Sequence, residues 1–256
     1  MDSARALALF DRQIRQGLPG APPAERVDGD HVRVVGADGD WATVVWSDLD
    51  ATTADAAIAG QVALYAPLGA DFEWKLYAHD PPPDLARRLR AAGFQAQPEE
   101  ALLVADASAL PVATALPDGV ALVPVEDAAG IRLMVRASEA AFGTDHSAME
   151  RRLLAGFATD PLAMAAVVAM ADGVPVCAGR IEFHRGTDFA SLWGGGTAPA
   201  WRGRGIYRAV VAHRARLALD RGHRYLQVDA SPDSQPILSR MGFMRLGTTT
   251  PYLYGG

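Results

Sequence analysis

Short apolar runs with few polar interruptions, HVRVV (31–35) and ATVVW (42–46) joined across a Gly-Asp-rich turn, and then FEWKLYAH (72–79), predict strands. Between them the alanine-rich stretch from Thr53 to Tyr65 predicts a helix. PPPDLARRLRAAG reads as a turn leading into a helix that stops at Gly93, and ALLVAD (101–106) as a further strand. ASALPVATALPDG (107–119) is poor in charge, carries two prolines and reads as a linker.

Beyond it, VALVPVE (120–126) predicts a strand. DAAGIRLMVRASEAAF then places Ile131, Met134, Val135 and Phe142 at helical spacing behind an aspartate suited to an N-cap. AMERRLLAGFA predicts a second helix after the GTDHS loop. MAAVVAMADG and VPVCAGRIEFH predict a hairpin turning at Asp172-Gly173, because that dipeptide tolerates the positive φ angles of a two-residue turn. DFASLWGGGT predicts the next strand, Ile206–Arg221 a helix with Gly222 at its C-terminal end, YLQVDA a strand, and Ser234–Met241 a short helix ending at Gly242. From Phe243 onward the pattern predicts a strand or hairpin.

Strands and helices in this order specify an α/β protein of the α+β type with a mixed sheet, not a regular doubly wound one. DLARRLRAAGF (84–94) and SQPILSRMGF (234–243) are both short amphipathic helices ending in Gly-Phe and flanked by strands, the mark of a weak internal repeat. The expected division is residues 1–110 and 119–256.

Composition narrows the functional classes. Half of the 256 residues are hydrophobic, enough for a substantial core, and a formal net charge of −6 argues against a nucleic-acid partner. MDSARALALFDRQIRQGL reads as an amphipathic helix, not a signal peptide, and no stretch reaches the roughly 18 apolar residues of a membrane span. With Cys177 the single cysteine, a cytoplasmic location is the simplest expectation, and the thiol reads as a core residue. The six histidines show no metal-ligand spacing, so no metal is expected.

One segment carries chemistry. WRGRGIYRAVV (201–211) follows the strand ending in GGGT and opens a helix. Gly203 and Gly205 let the backbone approach a ligand, the free N–H groups of the helix start favour an anion, and Arg202 and Arg204 supply charge-assisted donors suited to a pyrophosphate. There is no GxxxxGKS/T, and the glycine spacing is not that of a dinucleotide fold.

From Gly194 to Phe243 the sequence resembles the GNAT superfamily of acetyl-CoA-dependent N-acetyltransferases, whose R/Q-x-x-G-x-G/A signature reads here Arg202-Gly203-Arg204-Gly205-Ile206-Tyr207, with tyrosine in the last, usually tiny, position. The resemblance implies a GNAT acyltransferase fold over residues 119–256, and a degenerate GNAT-like unit without a cofactor loop over residues 1–110, the two forming a tandem. It implies acetyl-CoA as cosubstrate, its pantetheine arm along the backbone of Gly195, Gly196 and Thr197, its pyrophosphate on the loop from Arg202 and Gly203 through Arg204, Gly205, Ile206 and Tyr207, and Ser234 as a further contact. The family's tyrosine acid has Leu238 in its place.

For proton transfer the chain offers Asp229, at the end of YLQVD, as candidate base, with a solvated strand-end or helix-capping role as the plainer alternative. Ser191 and Trp193 are the positions expected to face the acceptor on the strand before GGGT, and neither is a useful base. Glu139, Glu182, Tyr252, Tyr254 and His146 are further polar candidates. Two functions follow from the resemblance: transfer of an acetyl group to the primary amine of a small molecule or peptide, or non-catalytic binding and sensing of acyl-CoA.

Overall fold

The computed structural model describes residues 2–17, 25–28, 32–35, 41–69, 71–111 and 115–255. His31 of the first expected strand and residues 112–114 of the expected linker lie outside them. The chain divides into two compact units, and the division does not follow a single cut in the sequence: one unit takes Met1–Leu103 together with Asp229–Gln235 and Arg245–Gly256, the other Val104–Val228 and Pro236–Met244. The change of unit after Leu103 therefore falls inside a strand, ahead of the proline-containing 107–119 stretch, and the C-terminal tail returns to the first unit.

The first unit begins with α1 (Ser3–Phe10), capped by the Asp2 carboxylate and continued by a π-helical turn, Asp11–Arg15. Strands β1 (Glu25–Asp28), β2 (Val32–Val35) and β3 (Trp41–Ser47) precede α2 (Ala54–Tyr65), β4 (Asp71–Tyr77), α3 (Leu85–Ala91), β5 (Phe94–Ala96) and β6 (Glu100–Asp106). The last strand of the chain, β12 (Met244–Tyr254), lies antiparallel between β4 and β6, giving the order β1-β2-β3-β4-β12-β6, with β5 also on β12. Alternation sorts the faces of β4. Phe72 and Trp74 enter a core with Val44, Ile58, Leu85, Leu89, Phe94 and Tyr252, while Glu73, Lys75 and Tyr77 point the other way.

The second unit runs β7 (Val120–Pro124), α4 (Ala128–Phe142), α5 (Ser147–Thr159), β8 (Met164–Ala171), β9 (Val174–Phe183), β10 (Phe189–Thr197), α6 (Ile206–Asp220), β11 (Tyr225–Ala230) and α7 (Gln235–Met241), in the order the sequence predicts. Its strands lie in the order β11-β10-β9-β8-β7. Asp172 and Gly173 make the β8–β9 turn with φ of 48° and 80°, so the aspartate tolerates a left-handed backbone as expected. Ile131, Met134 and Val135 of α4 cover Val168 and Ala178 on one face of this sheet; Ile206 and Val210 of α6 cover Val167, Ala169 and Cys177 on the other.

The internal repeat is visible in the connections. β3 and β4 are parallel across α2, β10 and β11 are parallel across α6, and each pair is followed by a short helix, α3 or α7. Behind those helices Gly93 and Gly242 take φ of 97° and 109°, the left-handed conformation that ends a helix and explains the shared Gly-Phe. The expected single strand or hairpin at the C-terminus is one strand of 11 residues.

Candidate acyl-CoA site

Two features of β10 build the site. Its parallel pairing with β11 covers Phe189–Ser191 against Tyr225–Gln227, and β10 then continues to Thr197. Its antiparallel pairing with β9 shifts register between Trp193 and Gly196, with Gly194 at φ 60°. The stretch Leu192–Thr197 therefore runs on past its last pair with β11, with a bulge in the middle.

The glycines in that stretch have steric reasons. A Cβ on Gly195 would lie 2.8 Å from Cε2 of Tyr207 and 3.3 Å from Nη2 of Arg214, both on α6. A Cβ on Gly196 would lie 2.8 Å from the side chains of Ala141 and Phe142 at the end of α4. The backbone at the bulge is thus approached closely from both faces. Tyr207, the oversized residue of the signature, is accommodated because its ring occupies the space that Gly195 leaves.

Arg214 is a residue that sequence reasoning missed. It is fully buried, and its guanidinium donates to the carbonyl oxygens of Arg180 on β9 (2.9 Å), Trp193 on β10 (3.3 Å) and Val210 (3.2 Å). Burial pulls its pKa below the ordinary arginine value, with the Arg180 charge adding to the effect. Its trace in the sequence is the pair Gly179 and Gly195, since a Cβ on Gly179 would meet the guanidinium at 2.8 Å.

After β10 a short 3₁₀ turn, Pro199–Trp201, leads into the loop. Gly203 and Gly205 take φ of 76° and 84°, conformations costly for any residue with a Cβ, and Gly205 stands at the N-cap of α6. The amides of Gly203, Arg204, Gly205 and Ile206 find no acceptor among the described residues, as expected at a helix start, and α6 is long enough, at 15 residues, to bring a full dipole to them. Ile206 anchors the helix start in the core under the loop.

The two signature arginines differ. Arg204 is exposed and lies over the Trp201 ring at 4.7 Å. Arg202 donates from Nε to the carbonyl of Thr197 (3.1 Å) and from Nη2 to that of Ala141 (2.9 Å), tying the end of β10 to the end of α4. Beside the pyrophosphate contact expected from sequence, Arg202 is therefore a brace between β10 and α4. Arg208, also exposed, stands beside the loop: its Nη2 would lie 3.6 Å from a Cβ on Gly205. Thr197 donates its hydroxyl to the buried Cys177 Sγ at 3.1 Å, and burial pushes that thiol above its usual pKa, consistent with a core residue.

Asp229 is neither solvated nor a cap. Its side chain is buried and its Oδ2 pairs with Lys75 Nζ at 2.7 Å, while Oδ1 has no hydrogen-bond partner among the described residues. Burial alone would lower the Lys75 pKa, but Asp229 and its neighbours hold it above the ordinary value; burial pushes the nearby Glu73 carboxyl up. Ser234 donates to the Ser231 carbonyl (3.2 Å) in the turn before α7, and Leu238, where the family tyrosine would stand, is a core residue.

Among the other candidates, Tyr252 is buried in the first unit's core and Tyr254 stacks edge-on against Phe94 at 5.1 Å. Ser191 is buried, 2.7 Å from Nε2 of His184. Glu139 accepts from the backbone N–H of His146 (3.2 Å), whose Nε2 lies 2.9 Å from the Thr144 hydroxyl. Glu182 accepts from Nε of Arg180 at 2.9 Å.

A strand running past its neighbour, a bulged glycine run and a helix start whose amides have no acceptor among the described residues together form a candidate anion-binding site. Residues 132–243 match the family model described as the acetyltransferase (GNAT) family. No curated protein matches the chain. Among solved structures it is similar to a GCN5-related N-acetyltransferase from Kribbella flavida, with 20% identity, TM-score 0.69 and coverage of 99% of this chain and 94% of that one. It is also similar to one from Sphaerobacter thermophilus, with 14% identity, TM-score 0.62 and coverage of 98% and 91%. A tandem GNAT protein from the clavulanic acid biosynthesis pathway matches with 14% identity, TM-score 0.58 and coverage of 91% and 84%. At these identities the likeness is one of fold. No helix among the described residues is long and apolar enough to cross a membrane.

Proposed function

We propose that the protein transfers an acetyl group from acetyl-CoA to the primary amine of a small molecule or peptide. The observation that carries this reading is the α6 start: four amides without an acceptor among the described residues, two left-handed glycines and the exposed Arg204 and Arg208, following the overrunning end of β10. Those groups suit a pyrophosphate, and the β10 backbone past Ser191 suits the amides of a pantetheine arm. Bound there, acetyl-CoA would supply the thioester. The chain's part is to hold it, to polarise its carbonyl through backbone N–H groups, and to orient the amine, which together provide much of the rate.

The Lys75 pairing bears on the base. Asp229 is buried and held by the Lys75 ammonium at 2.7 Å, so it serves better as a structural anchor, and the amine proton goes to water. That same pairing, with Leu238 in the tyrosine position, is what favours the second reading, a non-catalytic acyl-CoA sensor. Release of free CoA thiol from acetyl-CoA over a panel of amines separates the two: turnover supports the transferase, and tight binding without turnover over the whole panel supports the sensor.

A further inference from the structure

We propose that Arg180 is a specificity-determining residue that receives a carboxylate of the acceptor, so that the acceptor class is an amino acid or a similar amine bearing an acid group. The inference rests on the acetyl-transfer reading above and names the substrate class for it.

Arg180 sits on β9 directly opposite Trp193 of β10, at the bulge and beyond the last β10–β11 pair. Successive residues of β9 face opposite sides: Gly179 lies under Arg214 of α6, whereas Arg180 reaches Met149 of α5. The guanidinium is therefore on the face of β10 opposite to the one covered by α6, the helix that carries the phosphate loop. An amine attacking a thioester laid along β10 can approach from this face.

The local chemistry defines what the group binds. Glu182 Oε1 takes the Nε hydrogen at 2.9 Å and so fixes the plane of the guanidinium, which lies 5.5 Å from the Trp193 ring centroid. Of the two terminal nitrogens, Nη1 has only the thioether of Met149 at 3.8 Å, and Nη2 has no oxygen acceptor among the described residues. Nη1 would be 3.6 Å from a Cβ on Gly194, so the end of the fork reaches the bulge itself. The side chain is only 17% exposed and is bordered by indole and thioether, surroundings that strengthen a charge-assisted pair. A rigid fork offering two parallel N–H donors matches a carboxylate bidentately, and arginine, unlike lysine, requires that geometry. Glu182, 36% exposed, adds a negative charge beside the same fork that attracts the acceptor's ammonium before it loses its proton.

The test is competition between acceptors in one reaction. The full-length protein is given acetyl-CoA with an equimolar mixture of the proteinogenic L-amino acids and their carboxamides, and acetylated products are counted by mass spectrometry, while calorimetry reports acetyl-CoA affinity separately. The expected result is acids favoured over their amides by about a hundredfold, since the amide presents an N–H₂ to the donors of the fork. Arg180→Met should bring the ratio near one with acetyl-CoA affinity unchanged, and Arg180→Lys should restore little of it. If acetyl-CoA binds and the amides are acetylated as well as the acids, if neither is acetylated, or if Arg180→Met keeps the preference, the inference is wrong while the cofactor site stands. If acetyl-CoA does not bind, the transferase reading fails and the inference falls with it.

Discussion

The Tyr207 ring lies against the backbone of Gly195, 2.8 Å from where a Cβ on that glycine would stand, so the two residues are sterically complementary. Gly195→Ala should therefore destabilise the protein by about 1–3 kcal/mol, as overpacking of a close contact does. Tyr207→Ala should relieve the clash. In a double-mutant cycle read by denaturant unfolding, Gly195→Ala should cost much less in the Tyr207→Ala background than alone; equal costs would mean the ring does not hold that space.

Arg202, Arg204 and Arg208 should separate by phenotype. Arg202→Ala removes two hydrogen bonds to carbonyls, at Thr197 and Ala141, and should lower stability by about 1–2 kcal/mol. Arg204→Ala and Arg208→Ala, both on exposed side chains, should leave stability unchanged and weaken acetyl-CoA several-fold, less so at high salt. Thermal unfolding and calorimetry at two ionic strengths check the split.

Lys75 and Asp229 should behave as one buried unit. Asp229→Asn leaves Lys75 without its carboxylate and should cost about 3 kcal/mol, whereas Lys75→Met with Asp229→Leu should recover much of that stability. Acetyl transfer in the double variant decides the base question: retained turnover makes Asp229 an anchor, and loss of turnover in a stable double variant makes it the base.

Acid should loosen the N-terminal helix through Asp11. Burial alone would raise this carboxyl, but the hydrogen bond from His79 and the Arg15 charge outweigh it and hold the pKa below the ordinary 3.8. A depressed carboxylate contributes stability that is present above 3.8 and lost as pH falls through the lower folded value. Asp11→Asn should thus cost stability at pH 6 and have little effect once the pH is well below that window, measured by unfolding at a series of pH values.

The order of elements was legible because each carries its own period and its own stop. The Asp172-Gly173 turn and the glycines at 93, 205 and 242 all take the positive φ their positions require. The loop was legible for the same reason: Gly203 and Gly205 are needed by the backbone itself. What the side chains do with their charge was not. Arg202 spends its donors on two carbonyls, Arg214 is buried among three, and Asp229 meets a lysine 154 positions earlier in the chain, contacts made by packing between segments that no local pattern encodes. The return of β12 to the first unit has the same origin, since its partner β4 lies in the other half of the sequence.

The central claim is that the amides at the start of α6 hold the pyrophosphate of acetyl-CoA, and the affinity of Gly205→Asp tests it most directly. At φ 84° the glycine stands at the N-cap, where a Cβ would make ordinary contacts with Nη2 of Arg208 at 3.6 Å and the Ala115 carbonyl at 3.8 Å, so the substitution puts a carboxylate at the anion site at the cost of a left-handed backbone at a non-glycine residue. Calorimetry should show acetyl-CoA binding to the parent and at least about tenfold weaker binding to a folded Gly205→Asp, because an added negative charge opposes the phosphate where the helix dipole favours it. Equal affinity in the two proteins would contradict the claim.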